Sequence, residues 1–249
     1  MDVPSTVTTA LDDRPVDGRR CLEAGAGVGN TTAGLLDAGA SRVYAVTNDR
    51  EHALTTRERI AGGQDADTDS HPAARDRLAV LHADLRAIPL PEESVDLVTA
   101  HGLCNVLDPA ALSRIADELQ RVAAPGAHLV VDDYAPLPET AAVRDLFAVE
   151  NAAAELATGR PALTFYPSSF LRDLFAGAGW AFERERTLLE PVPWTESHLS
   201  AHADAAASFA ADCADDAGAA LAARAERLAT DIGSESVGRM YSLAFRLAA

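Results

Sequence analysis

Short apolar runs alternate with longer helix-forming segments along most of this chain, and this alternation limits the possible folds more than any other feature. Seven runs have the length and apolar character of strands: 20–23, 42–46, 78–82, 95–100, 128–132, 181–188 and 238–247. Helical spacing marks the segments 31–38, 50–61, 110–122, 139–158 and 168–176 between them. This order is typical of βαβ units, so we expect an α/β fold around a mainly parallel sheet.

A helical insertion is predicted between the sixth and seventh strands. Apolar residues recur at helical spacing through 195–232, with Thr195 suited to cap the N-terminus and Gly233 suited to end the helix. The stretch 215–218 is expected to divide this segment into two shorter helices. The segment 134–167 leaves the sheet from the same edge, the edge at which open parallel sheets bind ligands. These two segments are therefore expected to form the substrate pocket.

The length predicts one domain. A chain of 249 residues suits a single α/β domain with insertions, here a core of about 18–189 and 234–249 with the helical insertion at about 195–232. A loop is predicted at 62–75, where glycines and aspartates interrupt the apolar period, and a short helix at 4–12.

The charge balance is unusual. The net charge is −17, and all 21 basic residues are arginine, against 38 acidic residues. Such a negative surface makes nucleic acid a poor partner. Because concentrated salt screens surface repulsion, the composition suggests a halophilic archaeon, although a GC-rich genome would also explain the missing lysine.

Neither a membrane span nor a metal centre is expected. No run approaches the roughly 18 apolar residues of a membrane helix, and the first residues lack the pattern of a signal peptide, so we expect a cytoplasmic protein. Cys21, Cys104 and Cys213 are widely separated and show no ligand spacing. They are interpreted as small apolar side chains.

A glycine-rich turn joins the first strand to the first helix of the sheet. Its sequence has the form Glu-x-Gly-x-Gly-x-Gly, with Glu23, Gly25, Gly27 and Gly29. Glycines let the backbone approach a ligand closely, and the following helix presents free N–H groups. A nucleotide-triphosphate loop requires a lysine that this chain lacks, and a dinucleotide loop requires a third glycine where Asn30 stands.

Several ordered segments, taken with this turn, resemble the class I S-adenosylmethionine-dependent methyltransferases, in particular the small-molecule enzymes related to quinone biosynthesis. They are the turn at 23–29, the segment 82–98, the turn at 121–127 and the later segment 170–180. The resemblance implies a Rossmann-like sheet of seven strands, mostly parallel, with helices on both faces and an antiparallel last strand. It also implies S-adenosylmethionine as the cofactor and a small-molecule methyl acceptor.

The resemblance assigns roles to individual residues. Gly25, Gly27 and Gly29 would face the methionine and ribose portion of the cofactor, with Glu23 supporting the turn. Asp84 would accept a hydrogen bond from the adenine amino group, which suits a group that only accepts. Leu85 would cover the adenine ring.

The ribose position departs from the family pattern. That family usually ends its second strand with an acidic residue, but Thr47 stands there, and Asp49 two residues later is the expected ribose partner instead. A neutral residue followed by Arg50 would also suit NADP, so an NAD(P)-dependent oxidoreductase remains an alternative. A non-catalytic S-adenosylmethionine-binding protein is a second alternative.

Methyl transfer depends mainly on alignment, and a base is needed only when the acceptor carries a proton. Candidates at the ends of the fourth and fifth strands are His101, Asn105, Asp133 and Tyr134, of which His101 is predicted to be the catalytic base. The motif Asn-Pro-Pro-Tyr of amino-methylating enzymes is absent after the fourth strand. In-line transfer to a small molecule is therefore the favoured function.

Overall fold

A seven-stranded sheet forms the centre of the computed structural model, which describes residues 3–62 and 72–248. The strands are β1 (Arg20–Ala24), β2 (Arg42–Thr47), β3 (Leu78–His82), β4 (Val95–His101), β5 (Ala123–Tyr134), β6 (Trp180–Leu189) and β9 (Met240–Leu247), and β7 (Pro193–Trp194) and β8 (Glu235–Ser236) make a separate short ribbon. The order in the sheet is β3-β2-β1-β4-β5-β9-β6. All neighbours pair in parallel except β9, which is antiparallel to both β5 and β6. This confirms the expected Rossmann-like fold.

The strand order reverses at β1, which pairs with β2 on one side and β4 on the other. From β1 the chain first adds β2 and β3 on one side of the sheet, and it then adds β4 and β5 on the other side. The connections therefore diverge above the carboxyl ends of β1 and β4, which leaves a crevice there. The glycine turn begins at that crevice.

Helices cover both faces of the sheet. They are α1 (Ser5–Leu11), α2 (Asn30–Asp37), α3 (Arg50–Gly62), α4 (Pro72–Arg77), α5 (Leu112–Val122), α6 (Val143–Thr158), α7 (Ser168–Gly177), α8 (Glu196–Ala210) and α9 (Asp215–Ile232). Alternate strand residues point to opposite faces, so Cys21 and Leu97 pack with α1 and α2 while Leu22 and Val98 pack with α5 and α7. This alternation produces two apolar layers around one sheet.

The remaining helices form a third apolar cluster above the carboxyl edge of the sheet. We call α6, α8 and α9 the cap. Leu146, Leu199 and Ala225, one from each helix, are fully buried together with the neighbouring Trp194. The insertion divides at 211–214, slightly before the predicted position, and Thr195 caps α8 with a reciprocal capping box.

Some helix boundaries differ from their predictions. The helix predicted from 139 begins at Val143, because its first N–H groups, those of Ala142 and Val143, donate to the carboxylate of Glu235 from a distant strand. The helix predicted from 110 begins with a single 3₁₀ turn, Pro109–Ala111. The predicted loop at 62–75 is wrong from residue 72, where α4 begins, and its portion at 63–71 lies outside the described residues. Within the described part of the chain, no helix is long and apolar enough to cross a membrane.

Candidate functional site

The glycine turn closely follows β1 and depends on its glycines. Gly25, Gly27 and Gly29 have positive φ angles of 77°, 36° and 81°. A Cβ atom on Gly25 would lie 2.6 Å from Cδ1 of Leu103. The N–H groups of Gly25 and Ala26 both donate to the carbonyl of Val46 at 2.9 Å. The turn is therefore anchored to β2 and leaves its outer backbone open to a ligand.

Glu23 supports this turn from within the protein. Its side chain is buried and accepts a hydrogen bond from the hydroxyl of Thr32, on the first turn of α2. Burial raises the pKa of Glu23 to about 7, although the hydrogen bond from Thr32 partly opposes this rise. Glu23 therefore links the strand to the helix and does not face solvent.

A cavity of about 750 Å³ lies above the carboxyl edge of the sheet. Its wall on the side of the sheet includes Gly25, Thr47, Asp49, Asp84 and Leu85. The structure therefore brings residues from three separate segments of the sequence prediction to one cavity. Gly25 gives the backbone access that a ligand needs at one point of this wall.

The wall continues from the sheet to the cap. It includes Leu103, Leu107 and Ile115 after β4, and Ala154, Leu163, Ala201 and Phe209 from the cap and the loop that follows α6. Most of these side chains are apolar. These side chains suit an apolar part of a ligand, whereas Asp108, Thr158 and Arg160 make the same wall polar in places.

Asp84 and Leu85 lie side by side at the end of β3. The Asp84 side chain is 47% exposed and accepts hydrogen bonds from the backbone and the guanidinium of Arg86. The Arg86 guanidinium holds the pKa of Asp84 at about 2, so this carboxylate is charged and can only accept hydrogen bonds. Leu85 is buried and supplies an apolar surface next to it.

Thr47 and Asp49 lie at the position predicted for the ribose, and both line the cavity. The hydroxyl of Thr47 accepts a 3.1 Å hydrogen bond from the N–H of Asp49. Asp49 caps α3, since its Oδ1 accepts from the N–H groups of Glu51 and His52 at 2.7 and 3.0 Å. The hydrogen bond from His52 lowers the pKa of Asp49. Its second oxygen, Oδ2, is left for a ligand.

These groups fit S-adenosylmethionine. The Gly25 backbone lies where a side chain would collide with Leu103, Asp84 offers an acceptor beside an apolar surface, and Asp49 offers one carboxylate oxygen. A negative wall also suits a sulfonium cation. Of the predicted cofactor residues, Gly25, Asp49, Asp84 and Leu85 line the cavity, whereas Glu23, Gly27 and Gly29 are not among its described lining residues.

His101 is oriented toward the sheet. Its Nδ1 lies 2.9 Å from Oδ2 of Asp132, on the neighbouring strand. Burial lowers the pKa of His101, but the hydrogen bond and the charge of Asp132 outweigh it, so the net shift is upward. His101 is not among the described residues that line the cavity.

The other candidates at this edge hold the loop after β4. Asp133 is fully buried and accepts hydrogen bonds from the N–H groups of Asn105 and Tyr134 at 3.1 and 2.8 Å. Burial raises the pKa of Asp133 to about 7. The Tyr134 ring packs 5.4 Å from the ring of Trp194. These contacts position the loop between the sheet and the cap.

Sequence reasoning missed one polar pair in the cavity wall. Glu150 of α6 and His202 of α8 both line the cavity, with Oε2 of Glu150 2.7 Å from Nδ1 of His202. The sequence identified His202 only as part of an amphipathic helix. No local signal connects two residues that are 52 positions apart.

Comparisons with known proteins show similarity to methyltransferases. A family described as "Methyltransferase domain" matches residues 22–131. A demethylmenaquinone methyltransferase of Clavibacter sepedonicus is 33% identical over 133 residues, which are 53% of this chain and 48% of that protein. The chain thus matches about half the length of this curated relative.

Two solved structures share the fold across nearly the whole chain. An S-adenosylmethionine-dependent methyltransferase from Mesorhizobium loti has a TM-score of 0.57 at 18% identity, with 98% of each chain covered. A geranyl diphosphate methyltransferase solved in complex with S-adenosylmethionine has a TM-score of 0.60 at 14% identity, covering 97% of this chain and 84% of that one. At these identities the likeness establishes the fold. The family match over residues 22–131 adds that this part of the chain is similar to a methyltransferase domain.

Proposed function

We propose that this protein transfers the methyl group of S-adenosylmethionine to a small-molecule acceptor by in-line displacement. One observation carries the proposal: Gly25 and Asp84, on the side of the sheet, and the cap helices border a single cavity of about 750 Å³. That volume is within the usual range for a ligand site. The sheet side of the cavity is assigned to the cofactor and the cap side to the acceptor.

The proposed cofactor contacts follow the wall of the cavity. The glycine turn takes the methionine and ribose portion, Asp84 accepts from the adenine amine, and Asp49 accepts from the ribose. The Arg86 guanidinium already donates hydrogen bonds to the carboxylate of Asp84. The adenine amine therefore either donates to a remaining lone pair of this carboxylate or displaces one of the hydrogen bonds from Arg86. The assigned residues are Glu23, Gly25, Gly27, Gly29, Asp49, Asp84 and Leu85.

The chain's own task is alignment and exclusion of water. S-adenosylmethionine supplies a methyl group on a positively charged sulfur. Holding two reactants in line is worth about 7–11 kcal/mol relative to a free encounter. The organisation that serves this task is one domain, with a core of about 18–189 and 234–249 and a helical insertion at about 195–232 over the cavity.

His101 stays the predicted catalytic base from the sequence. Its bond to Asp132 supports a role in proton transfer, since that bond raises the pKa of His101. His101 is not among the described residues that line the cavity, which favours a place for it behind the residues assigned to the cofactor. Neither alternative function is favoured, because the family match is to methyltransferases and the segment of Asp84 and Leu85 suits adenosine.

The proposal extends to the protein's surroundings. The chain has a net charge of −17, and all of its basic residues are arginine. Such a negative surface suits the salt-rich cytoplasm of a halophile and makes nucleic acid an unsuitable acceptor. Binding experiments are therefore designed in molar KCl. Low salt would leave the acidic surface unscreened.

Calorimetry with S-adenosylhomocysteine in molar KCl tests the cofactor assignment. We expect saturable binding that Asp84→Ala weakens roughly tenfold, because one charge-assisted hydrogen bond contributes about 1.5–3 kcal/mol. Asp117→Ala is the matched control, an exposed aspartate of α5 outside the cavity, and it should bind like the wild type. Unchanged affinity in Asp84→Ala would refute the assignment. Binding of NADP in place of S-adenosylhomocysteine would favour the oxidoreductase.

A further inference from the structure

Glu150 and His202 form a hydrogen-bonded pair in the cavity wall on the side of the cap, where Thr158 and Arg160 are also polar. Glu150 is only 4% exposed, and Nδ1 of His202 is the one hydrogen-bond partner of its carboxylate among the described residues. A buried carboxylate costs stability unless it is well paired. Nothing in the packing of α6 against α8 requires such a pair, because the surrounding cluster is apolar. The pair is therefore a candidate for function.

The arrangement fixes the state of the imidazole ring. A carboxylate only accepts hydrogen bonds, so Nδ1 of His202 carries the proton and donates it toward Glu150. Nε2 then keeps its lone pair, and no described residue bonds to it. Phe147 contacts the ring edge-on, with centroids 4.6 Å apart, and Trp194 lies 6.2 Å away. The direction of Nε2 is thus set by packing as well as by the hydrogen bond.

The surroundings of the pair indicate what it meets. Ala154, Leu163, Ala201 and Phe209 line the same part of the cavity, and all are apolar. An acceptor that fits them has an apolar body. The only group it needs near His202 is one that can give up a proton.

Resting on the proposed function, we propose that His202, oriented by Glu150, is the general base for an acceptor with an acidic hydroxyl, a phenol or an enol, on an apolar body. Nε2 of His202 takes the hydroxyl proton as the acceptor forms its new bond to the methyl carbon. The carbon–sulfur bond breaks and its electron pair goes to sulfur, which leaves S-adenosylhomocysteine. The imidazolium is stabilised by Glu150 until its proton returns to solvent.

His101 and His202 differ in a way that makes them separable. Both have a carboxylate at Nδ1, Asp132 for His101 and Glu150 for His202. Only His202 lies in the cavity wall. A base must reach the proton that it removes, so geometry assigns the acceptor side to His202.

The test uses 4-nitrophenol, whose ionised form is yellow, added to protein saturated with S-adenosylhomocysteine in molar KCl. We expect saturable binding of 4-nitrophenol with a gain in phenolate absorbance, since His202 takes its proton in the cavity. His202→Asn should lower the phenolate gain at least about tenfold, the equivalent of one pKa unit. Glu150→Gln should lower it in the same direction. Neither effect requires turnover.

Two further histidine variants complete the test. His198 is exposed, lies one turn before His202 on α8 and does not line the cavity, so His198→Asn should keep the phenolate gain. His101→Asn tests the rival base: loss of the phenolate gain in His101→Asn, together with its retention in His202→Asn, would overturn the proposal. Retained phenolate gain in both His202→Asn and Glu150→Gln would overturn it too, as would wild-type protein that does not bind 4-nitrophenol.

Calorimetry with S-adenosylhomocysteine separates this inference from the proposed function. If the wild type does not bind S-adenosylhomocysteine, the proposed function fails. If the wild type and the variants bind S-adenosylhomocysteine equally well, the variants are folded. The gain in phenolate absorbance then tests the role of His202 alone. His202→Gln is a second variant, for the case in which His202→Asn does not fold.

Discussion

The two ends of the cavity are held together in different ways. At the end assigned to the cofactor, Gly25 follows β1, Thr47 ends β2 and Asp84 lies two residues after β3. Hydrogen bonds between neighbouring strands fix where these strands end. At the acceptor end, Glu150 and His202 lie on helices that meet through apolar packing. A strand ladder tolerates little change of position, whereas packed helices can shift. This difference suits the proposed assignment, with a constant ligand against the strands and a variable one against the helices.

Loop contacts join the two ends. The side chain of Asn151 on α6 bonds to both the N–H and the carbonyl of Leu163, at 2.8 and 2.9 Å. The next N–H, that of Thr164, donates to the carbonyl of Asn105 after β4 at 2.7 Å. The cap is thus tied to the sheet at the rim of the cavity. Changes within the cap should reach the acceptor side first.

The largest effect is expected for Gly25→Ala. Alanine would have to adopt a φ of 77°, and its Cβ would push against Leu103, which is itself part of the cavity wall. Backbone strain of this kind costs about 1–3 kcal/mol. We expect S-adenosylhomocysteine affinity, measured by calorimetry, to fall about a hundredfold, because the wall changes as well as the backbone.

Gly179→Ala is the matched control for the backbone strain. Gly179 precedes β6 with a φ of 89°, nothing lies within 4 Å of a Cβ placed on it, and neither it nor its neighbours Ala178 and Trp180 line the cavity. It should lower the melting temperature and leave S-adenosylhomocysteine affinity within about twofold of the wild type, since its strain lies outside the cavity wall. Equal loss of affinity in both variants would mean that strain alone, and not the site, accounts for Gly25.

An intermediate effect is expected at the cap with Gly218→Ala. A Cβ on Gly218, near the start of α9, would lie 2.3 Å from the backbone carbonyl oxygen of Ala210 at the end of α8. The two helices must separate, and overpacking of this kind costs about 1–3 kcal/mol. Phe209 of the cavity wall adjoins this contact. Thermal unfolding should show the loss of stability while calorimetry shows nearly unchanged cofactor affinity.

That result would sharpen the contrast between the two ends. Loss of S-adenosylhomocysteine binding in Gly218→Ala, equal to that in Gly25→Ala, would contradict it and show that the cap and the sheet form one rigid unit. Phenolate formation by bound 4-nitrophenol is the complementary measurement. It should fall in Gly218→Ala, because α8 also carries His202.

The same contrast explains what the sequence could predict. Strand positions were predicted to within one or two residues for β1, β2, β3 and β4, because apolar runs and turns are local signals. The glycine turn and Asp84 were predicted from a resemblance carried by the order of several short segments. The predicted start of α6 was wrong because the first N–H groups of this helix donate to Glu235, which lies 92 and 93 residues away in the sequence.

The acceptor end lacked such signals. In the sequence, Glu150 and His202 are ordinary residues of two predicted helices. Their contact depends on how α6 packs against α8. The hydrogen bonds between Arg86 and Asp84 were also missed, although the two residues are close in the sequence. The long side chain of an arginine has many rotamers, so the sequence does not fix where its guanidinium lies. Contacts that depend on side-chain direction or on packing between distant helices require the structure.

The smallest effect is expected for Glu23→Gln, at the cofactor end. The pKa of Glu23 is raised from 4.5 to about 7 by burial, so the folded protein holds this proton more tightly than the unfolded chain. Its contribution to stability is fully present below pH 4.5 and is lost as the pH rises through about 7. Glutamine resembles the protonated form and can still accept from Thr32. Glu23→Gln should therefore match the wild type near pH 5 and exceed it at pH 8 by on the order of 2 kcal/mol.

Denaturant unfolding at several pH values measures this difference between the variant and the wild type. Part of the pH dependence should remain in Glu23→Gln, because Asp133 is also buried and its pKa is raised to about 7. Glu92→Gln, an exposed glutamate before β4, is the control and should keep the wild-type slope. A wild type whose stability rises between pH 5 and 8, with Glu23→Gln following the same curve, would mean that Glu23 is charged throughout. The cofactor end would then contain a buried negative charge that is held by its partners, as the acceptor end does at Glu150.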